Sequence, residues 1–230
     1  MMDITEKIKE HFEEEAREFD EIIRKLIPYY QDMVAAIVEA IPFEKSARLE
    51  VIDLGCGTGT VARAVKDAFP STRITCLDLS GNMLQMAAGK LGDANDTTYI
   101  NCSFYDFDFD EKYDAVVSSL ALHHLVLKED KLDFYKKIYS GLNTGGVFIN
   151  ADVVTASTDF LQNVYMRRWK DFMCGNMPKE EVENKWIPKY YEEDRPVSMM
   201  EHLDMLNKAG FKIMDVVWKY YNYAVYMAIK

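Results

Sequence analysis

One ten-residue stretch, Val51-Ile52-Asp53-Leu54-Gly55-Cys56-Gly57-Thr58-Gly59-Thr60, constrains the fold of this chain more than any other. An apolar run meets an acidic residue, three glycines then alternate with small residues, and a helical pattern follows at once. That order predicts a buried strand, a tight turn and a helix N-terminus, the build of a site for a nucleotide-like ligand. Glycine tolerates positive φ and lets a ligand lie against bare main chain.

The spacing narrows the ligand. A dinucleotide fingerprint has glycines at the first, third and sixth positions of its turn. Here the sixth position is Thr60, and the third glycine comes one residue early, at Gly59. Asp53, two residues before Gly55, would repel a pyrophosphate and suits a cationic or zwitterionic ligand. A sulfonium-bearing amino-acid nucleoside meets that demand. Asp78 ends the next apolar run, roughly twenty residues past the turn, where a carboxylate can accept both hydroxyls of a ribose. Ser80 is available to cap the helix that follows.

The rest of the chain supports this reading. Residues 3–40 show apolar residues at helical spacing, with a break predicted at Pro28 and a second helix from Tyr29 to Ala40. Strand and helix signals then alternate: strands at 49–54, 73–77, 97–102, 113–118 and 147–151, with helices at 61–68, up to about Gly89, and 129–142. The fourth strand is nearly all apolar, as a strand covered on both faces should be. Such alternation implies a parallel sheet with right-handed crossovers. Residues 155–195 carry helical spacing without strand signals and are expected to be a helical insertion. A last helix, His202 to Ala209, is capped by Gly210. Two apolar runs, 211–218 and 223–229, are joined so tightly that they must pair antiparallel.

Composition excludes several partners. A formal net charge of −11 repels phosphate backbones, so nucleic acid is not expected. The basic run Arg167-Arg168-Trp169-Lys170 is expected to be a solvated helix face. With no apolar run near 18 residues and no leader pattern, a cytoplasmic protein without a membrane partner is expected. Cys56, Cys76, Cys102 and Cys174 show no paired spacing, so neither a disulfide framework nor a metal site is expected.

Taken together, these segments resemble the class I S-adenosylmethionine-dependent methyltransferases, over most of residues 49–151 and into the final strand pair. Asp53 to Gly59 looks like that family's first motif. Leu77-Asp78-Leu79-Ser80-Gly81-Asn82-Met83-Leu84 looks like its second, 101–106 and 113–125 resemble the third and fourth, and 141–146 resembles the turn before strand five. The resemblance implies a Rossmann-like α/β fold with a mostly parallel seven-stranded sheet, an antiparallel C-terminal strand and a helical lid. It divides the chain into an N-terminal helical cap, 1–46, and a methyltransferase domain, 47–230, with the insertion at about 155–195. It implies S-adenosyl-L-methionine as cofactor, S-adenosyl-L-homocysteine as product and a small-molecule acceptor. In that frame Asp53, Gly55, Cys56, Gly57 and Gly59 surround the methionine moiety, Asp78 holds the ribose, and Leu79 and Met83 flank the adenine. Ser103 stands where the family often has an acidic residue reading the adenine amino group. The base is therefore read by Ser103, by the main chain of Phe104, or by Asp106 reaching back. Tyr30 and Ser119 are further expected cofactor contacts.

Leu26 to Tyr30, Leu206 to Phe211 and Tyr220 to Tyr223 also look like the carboxy-S-adenosylmethionine synthases. That resemblance implies an extra carboxylate held by an arginine just before the C-terminal run, where Met205 stands here. Three readings are therefore carried: a methyltransferase, a cofactor-modifying enzyme of the synthase kind, and a cofactor-binding protein that regulates a partner. A dehydrogenase is the least favoured. His123 and His124 follow strand four at the sheet edge where ligands bind, and His124 is the candidate general base; a purely structural role is the alternative. His11 and His202 are expected to be surface or packing residues. Tyr29, Trp169, Phe172, Trp186, Tyr190 and Tyr191 are candidate pocket aromatics, most of them expected to pack. The oligomeric state is left open, a homodimer included.

Overall fold

The computed structural model describes residues 4–16, 18–92 and 95–230, so positions 3 and 17 of the expected N-terminal helical segment lie outside the described residues. Three helices come first: α1 (Ile4–Glu15), α2 (Phe19–Leu26) and α3 (Tyr30–Glu39). The break at Pro28 is present, with Tyr29 at φ 55 starting α3. A second break, between Glu15 and Phe19, divides what the sequence predicts as one helix. Met33, Val34 and Ile37 form the buried face of α3.

The sheet is built from β1 (Glu50–Leu54), β2 (Arg73–Asp78), β3 (Thr97–Asn101), β4 (Tyr113–Ser119), β5 (Leu142–Val153), β6 (Ile213–Tyr220) and β7 (Tyr223–Ile229). Helices α4 (Thr60–Ala68), α5 (Gly81–Leu91) and α6 (Lys128–Gly141) cross between the parallel strands. The strand order is β3-β2-β1-β4-β5-β7-β6, and β7 runs antiparallel to both of its neighbours. This is the seven-stranded, mostly parallel arrangement that the sequence predicts. The chain winds outward from β1 to β3 and then returns to β4 beside β1. That reversal opens a crevice beyond the carboxyl ends of β1 and β4, where α/β sheets bind ligands.

Both faces of the sheet are covered, which is why its central strands are apolar throughout. Val51 of β1 faces a core shared with α3 and α4, through Ile37, Ala62 and Val65, whereas Ile52 and Leu54 face Tyr135 and Ile138 of α6. The insertion comprises α7 (Asp159–Cys174), α8 (Lys179–Glu181), a π turn (Val182–Trp186) and α9 (Ile187–Glu193). Trp169, Met173 and Trp186 join the α3 side of the core, and the Trp169 indole donates to the Leu26 carbonyl at 2.7 Å. The insertion is thus fastened to the N-terminal helices.

Three boundaries differ from expectation. β5 is longer than 147–151 because a register shift lets Leu142 pair with Tyr113, while Val153 at its far end pairs with Tyr223. The last helix, α10 (Met199–Ala209), starts earlier than His202 because Ser198 and Glu201 form a reciprocal capping box. Phe211 is not in β6 but fully buried beneath α10.

Behind α6 and α10 lies a buried polar network. The Tyr135 hydroxyl bridges the His202 ring at 2.7 Å and the Tyr226 hydroxyl at 2.9 Å, and the Asn150 amide donates to Tyr226 at 2.7 Å. Burial pushes His202 down to about 4, so it enters the network neutral. Removing the bridge leaves buried polar atoms unpaired, which costs about 1–3 kcal/mol. Tyr135→Phe should therefore lower the unfolding free energy by that amount, read as a lower urea midpoint with the slope of the transition unchanged; an unshifted midpoint would show that the network contributes nothing.

Candidate functional site

The glycine turn is pinned before any ligand arrives. Gly55 and Cys56 both donate main-chain N–H bonds to the Leu77 carbonyl, at 2.8 and 3.0 Å. Gly55 has φ +69, and a Cβ there would lie 2.3 Å from that of Ala121, so only glycine fits. Asp78 receives the Gly57 N–H at 2.8 Å on one oxygen and the Ser80 N–H at 2.9 Å on the other. Ser80 caps α5 by accepting from Met83. Asp78 thus holds the glycine turn against the start of α5 and keeps further lone pairs for a ligand.

Asp53 is 1% exposed. One of its oxygens accepts from the Ala62 N–H at 3.0 Å; the other meets no donor among the described residues. Burial pushes Asp53 up to about 7 and Asp78 up to about 6. Two carboxylates at neighbouring strand tips, raised by desolvation, form an environment that a cationic ligand would relieve.

One cavity brings together most of the residues singled out from the sequence. Asp53, Gly55, Cys56 and Gly57 line it beside Asp78, Leu79 and Met83. Ser103, Phe104, Ser119, Tyr30 and His124 complete those walls, and Ser119 Oγ is buried without a protein partner. Gly59 does not reach the cavity. It starts α4 at φ +79, and the Cβ it lacks would sit 3.0 Å from that of Ala87, so its role is helix packing. Asp106 lies in a separate surface recess with Glu6, leaving Ser103 and Phe104 as the residues on the wall.

The sequence did not point to the devices that close this cavity. Glu13 of α1 accepts from the N–H groups of Gly81 and Asn82, at 2.8 and 3.1 Å, and so holds α1 against the start of α5. Lys90 donates to Asp20, Thr58 and Thr60, and the Thr58 hydroxyl bonds Asp20 at 2.5 Å, which pins α2 to the glycine turn. Neither contact has a local sequence signal, because each joins residues far apart in the chain.

A second chamber shares Phe12, Phe19, Ile23, Leu120 and His124 with the first. Leu120 holds a left-handed φ of 53, strain of the kind found at functional sites. Trp169, Trp186 and Tyr190 of the insertion and Tyr223 supply its aromatic walls, with His11, His123, Lys189, Glu193 and Asp194 at its polar end. Of the other candidate aromatics, Tyr29 and Tyr191 are exposed, and Phe172 packs on the core without lining either chamber. His11, predicted to be unremarkable, stacks on Phe12 at this wall and bonds Glu193 at 2.8 Å.

The two adjacent histidines differ. Burial alone would lower His123, but Asp194 and Asp152 outweigh it and raise the ring well above its ordinary range. Its Nδ1 lies 2.5 Å from Asp152. Burial and the neighbouring His123 push His124 down to about 3. At neutral pH His124 is therefore a lone-pair acceptor and a weak proton acceptor, poorly matched to the work of a general base.

Comparisons with known proteins agree with the fold. Residues 51–146 match the family described as a methyltransferase domain. Carboxy-S-adenosyl-L-methionine synthase of Nautilia profundicola is 26% identical over 235 residues, spanning 98% of this chain and 96% of its own. The protein of that name from Campylobacter hominis is 27% identical over 241 residues, spanning 97% of each. Among solved structures, the DhpI-SAH complex superposes with a TM-score of 0.67 at 19% identity, covering 98% of this chain and 96% of that one. The fold is Rossmann-like, as in that solved structure. Over residues 51–146 the chain is thus similar to methyltransferase domains, and over nearly its whole length to the carboxy-S-adenosyl-L-methionine synthases. Among the described residues no helix is long and apolar enough to cross a membrane.

Asp53 gives a prediction of definite sign. Its folded value, about 7, exceeds the ordinary 3.8, so its proton is held more tightly folded than unfolded. That contribution to stability is present below 3.8 and is lost as pH rises through about 7. In the ligand-free protein, Asp53→Asn should gain stability relative to the parent as pH rises from about 5 to about 8, by on the order of 1.4 kcal/mol per unit of realised shift. Thermal unfolding at the two pH values checks this; a difference independent of pH would contradict the raised value.

Proposed function

We propose that the first chamber binds S-adenosylmethionine and the second a small-molecule acceptor, with methyl transfer through the wall they share. The observation that carries this proposal is the contiguity of the chambers at His124, Leu120 and Phe12, with Asp53 and Asp78 on the far side. The residues present suit the donor: the unpartnered Asp53 oxygen suits an ammonium, Asp78 a ribose, and the bare Gly55 the amino-acid backbone. When bound, the donor supplies an activated methyl carbon on sulfonium, so the chain has no covalent work to do. Its residues hold donor and acceptor in line, which can lower the barrier by roughly 7–11 kcal/mol. The aromatic walls exclude water. The N-terminal helices, in the proposed cap 1–46, line both chambers, and the insertion at about 155–195 walls the second; a cytoplasmic, nucleic-acid-free setting suits such a reaction.

A second reading is favoured by one observation: the synthases of the two organisms named above are similar along nearly their whole length. A carboxylated donor needs a cationic partner. Among the described residues the first chamber has no Lys or Arg on its wall, and Met205 lies on the buried face of α10 and lines neither chamber. Among the described residues Lys189 and His123, the latter raised by Asp194 and Asp152, are the cationic groups on the wall of the second chamber. Mass spectrometry of the nucleoside released from purified protein separates the readings, since a carboxymethyl donor carries the extra mass of a carboxyl group. A purely regulatory protein would bind the donor and turn over no acceptor.

Asp78→Ala should weaken binding of S-adenosylhomocysteine at least tenfold, about 1.4 kcal/mol, in a calorimetric titration. Unchanged affinity would remove Asp78 from the ribose role and with it the placement of the donor.

A further inference from the structure

We propose that His123, His124 and Asp194 form a binding site for a divalent transition-metal ion at the edge of the second chamber. The two histidines sit in the short turn Leu122–His124 after β4, and Asp194 follows α9. One ligand atom from each lies within 4.8 Å of the others, with His123 Nε2 at 3.4 Å and His124 Nδ1 at 3.8 Å from the same Asp194 oxygen. Ligands held about 2.0–2.2 Å from a tetrahedral ion stand roughly 3.3–3.6 Å apart. Small ring rotations bring this trio to that spacing.

The surroundings orient these atoms toward a common point. His123 turns its other nitrogen to Asp152, fully buried, in the carboxylate–imidazole pairing that fixes metal-binding histidines. His124 is held by a hydrogen bond to the main chain at Glu193 and by the edge of Phe12, 5.6 Å away. Its buried Nδ1 meets no protein donor. Two ring nitrogens and a carboxylate oxygen thus converge on one desolvated place. Two imidazoles and one carboxylate suit zinc, cobalt, manganese or ferrous iron better than the oxygen-seeking magnesium or calcium.

All three residues line the second chamber, so the remaining coordination positions open toward it. An ion there would hold an oxygen or nitrogen of the acceptor beside the shared wall; this clause rests on the proposed acceptor role of that chamber. The sequence predicts no metal because its cysteines lack ligand spacing, and a His-His pair far from its aspartate carries no spacing signal of its own. The rival arrangement is a metal-free knot in which protonated His123 bridges Asp152 and Asp194.

The test uses the full-length protein, stripped with a chelator and titrated with Zn²⁺ and with Co²⁺, without donor or acceptor present. One equivalent of each should bind, with Co²⁺ giving the intense visible bands of a four- or five-coordinate site. Asp194→Asn and His124→Ala should each weaken uptake at least tenfold. Should either variant fail to fold, the stoichiometry and spectrum of the parent protein decide alone. No saturable uptake by the parent, a weak six-coordinate spectrum, or undiminished uptake in both folded variants would overturn the site in favour of the metal-free knot. Calorimetry of the same preparations with S-adenosylhomocysteine reports separately on the donor chamber, so failure of one proposal is distinguishable from failure of the other.

Discussion

Desolvation of two carboxylates at neighbouring strand tips is the constraint on which this site depends. Asp53 is next to last in β1 and Asp78 ends the paired β2, and both are almost wholly buried. Burying a carboxylate with incomplete pairing is costly. Three main-chain N–H bonds, from Ala62, Gly57 and Ser80, offset part of that cost. The remainder is expressed as raised proton affinity, and it makes the cavity receptive to positive charge. Asp78 is also structural, since its two oxygens lock the glycine turn to α5. A change there is felt by the shape of the pocket as well as by its electrostatics.

Closure of the cavity is a matter of long-range polar contacts laid over an apolar roof. Glu13 ties α1 to the start of α5, the Lys90 cluster ties α2 to the glycine turn, and Trp169 ties the insertion to α2. Each contact links a covering helix to a part of the sheet that already shapes the cavity. The covering helices therefore complete the two chambers as well as shielding them, and the residues shared between the chambers come mainly from α1, α2 and the end of β4.

Much of the fold was legible because its signals are local. The glycine turn, Asp78 at the end of β2, Pro28 between helices and the tight link before Tyr223 each act through the backbone of a few adjacent residues. β7 falls where the sequence predicts it. The site was legible to the extent that it is built at strand ends: Asp53, Asp78, Ser103 and Ser119 all meet at one cavity. Gly59 lies off the cavity wall, because spacing reveals that a glycine is needed, not whether a ligand or Ala87 adjoins the space it leaves. The extension of β5, the ties from Glu13 and Lys90, and the union of His123 with Asp152 and Asp194 were hidden. Each depends on residues brought together only by the folded sheet, and none has a periodicity or spacing that marks it in advance.

Proton release on ligand binding tests the central claim most directly. A cationic ligand favours the charged forms of Asp53 and Asp78, so binding should drive off protons they hold near neutrality. Calorimetric titration of S-adenosylmethionine at about pH 6, in two buffers of different ionisation enthalpy, measures that release. The account predicts saturable binding with net release of protons, fading as pH is raised above about 8. Binding with no proton release at the lower pH, or no binding at all, would contradict it.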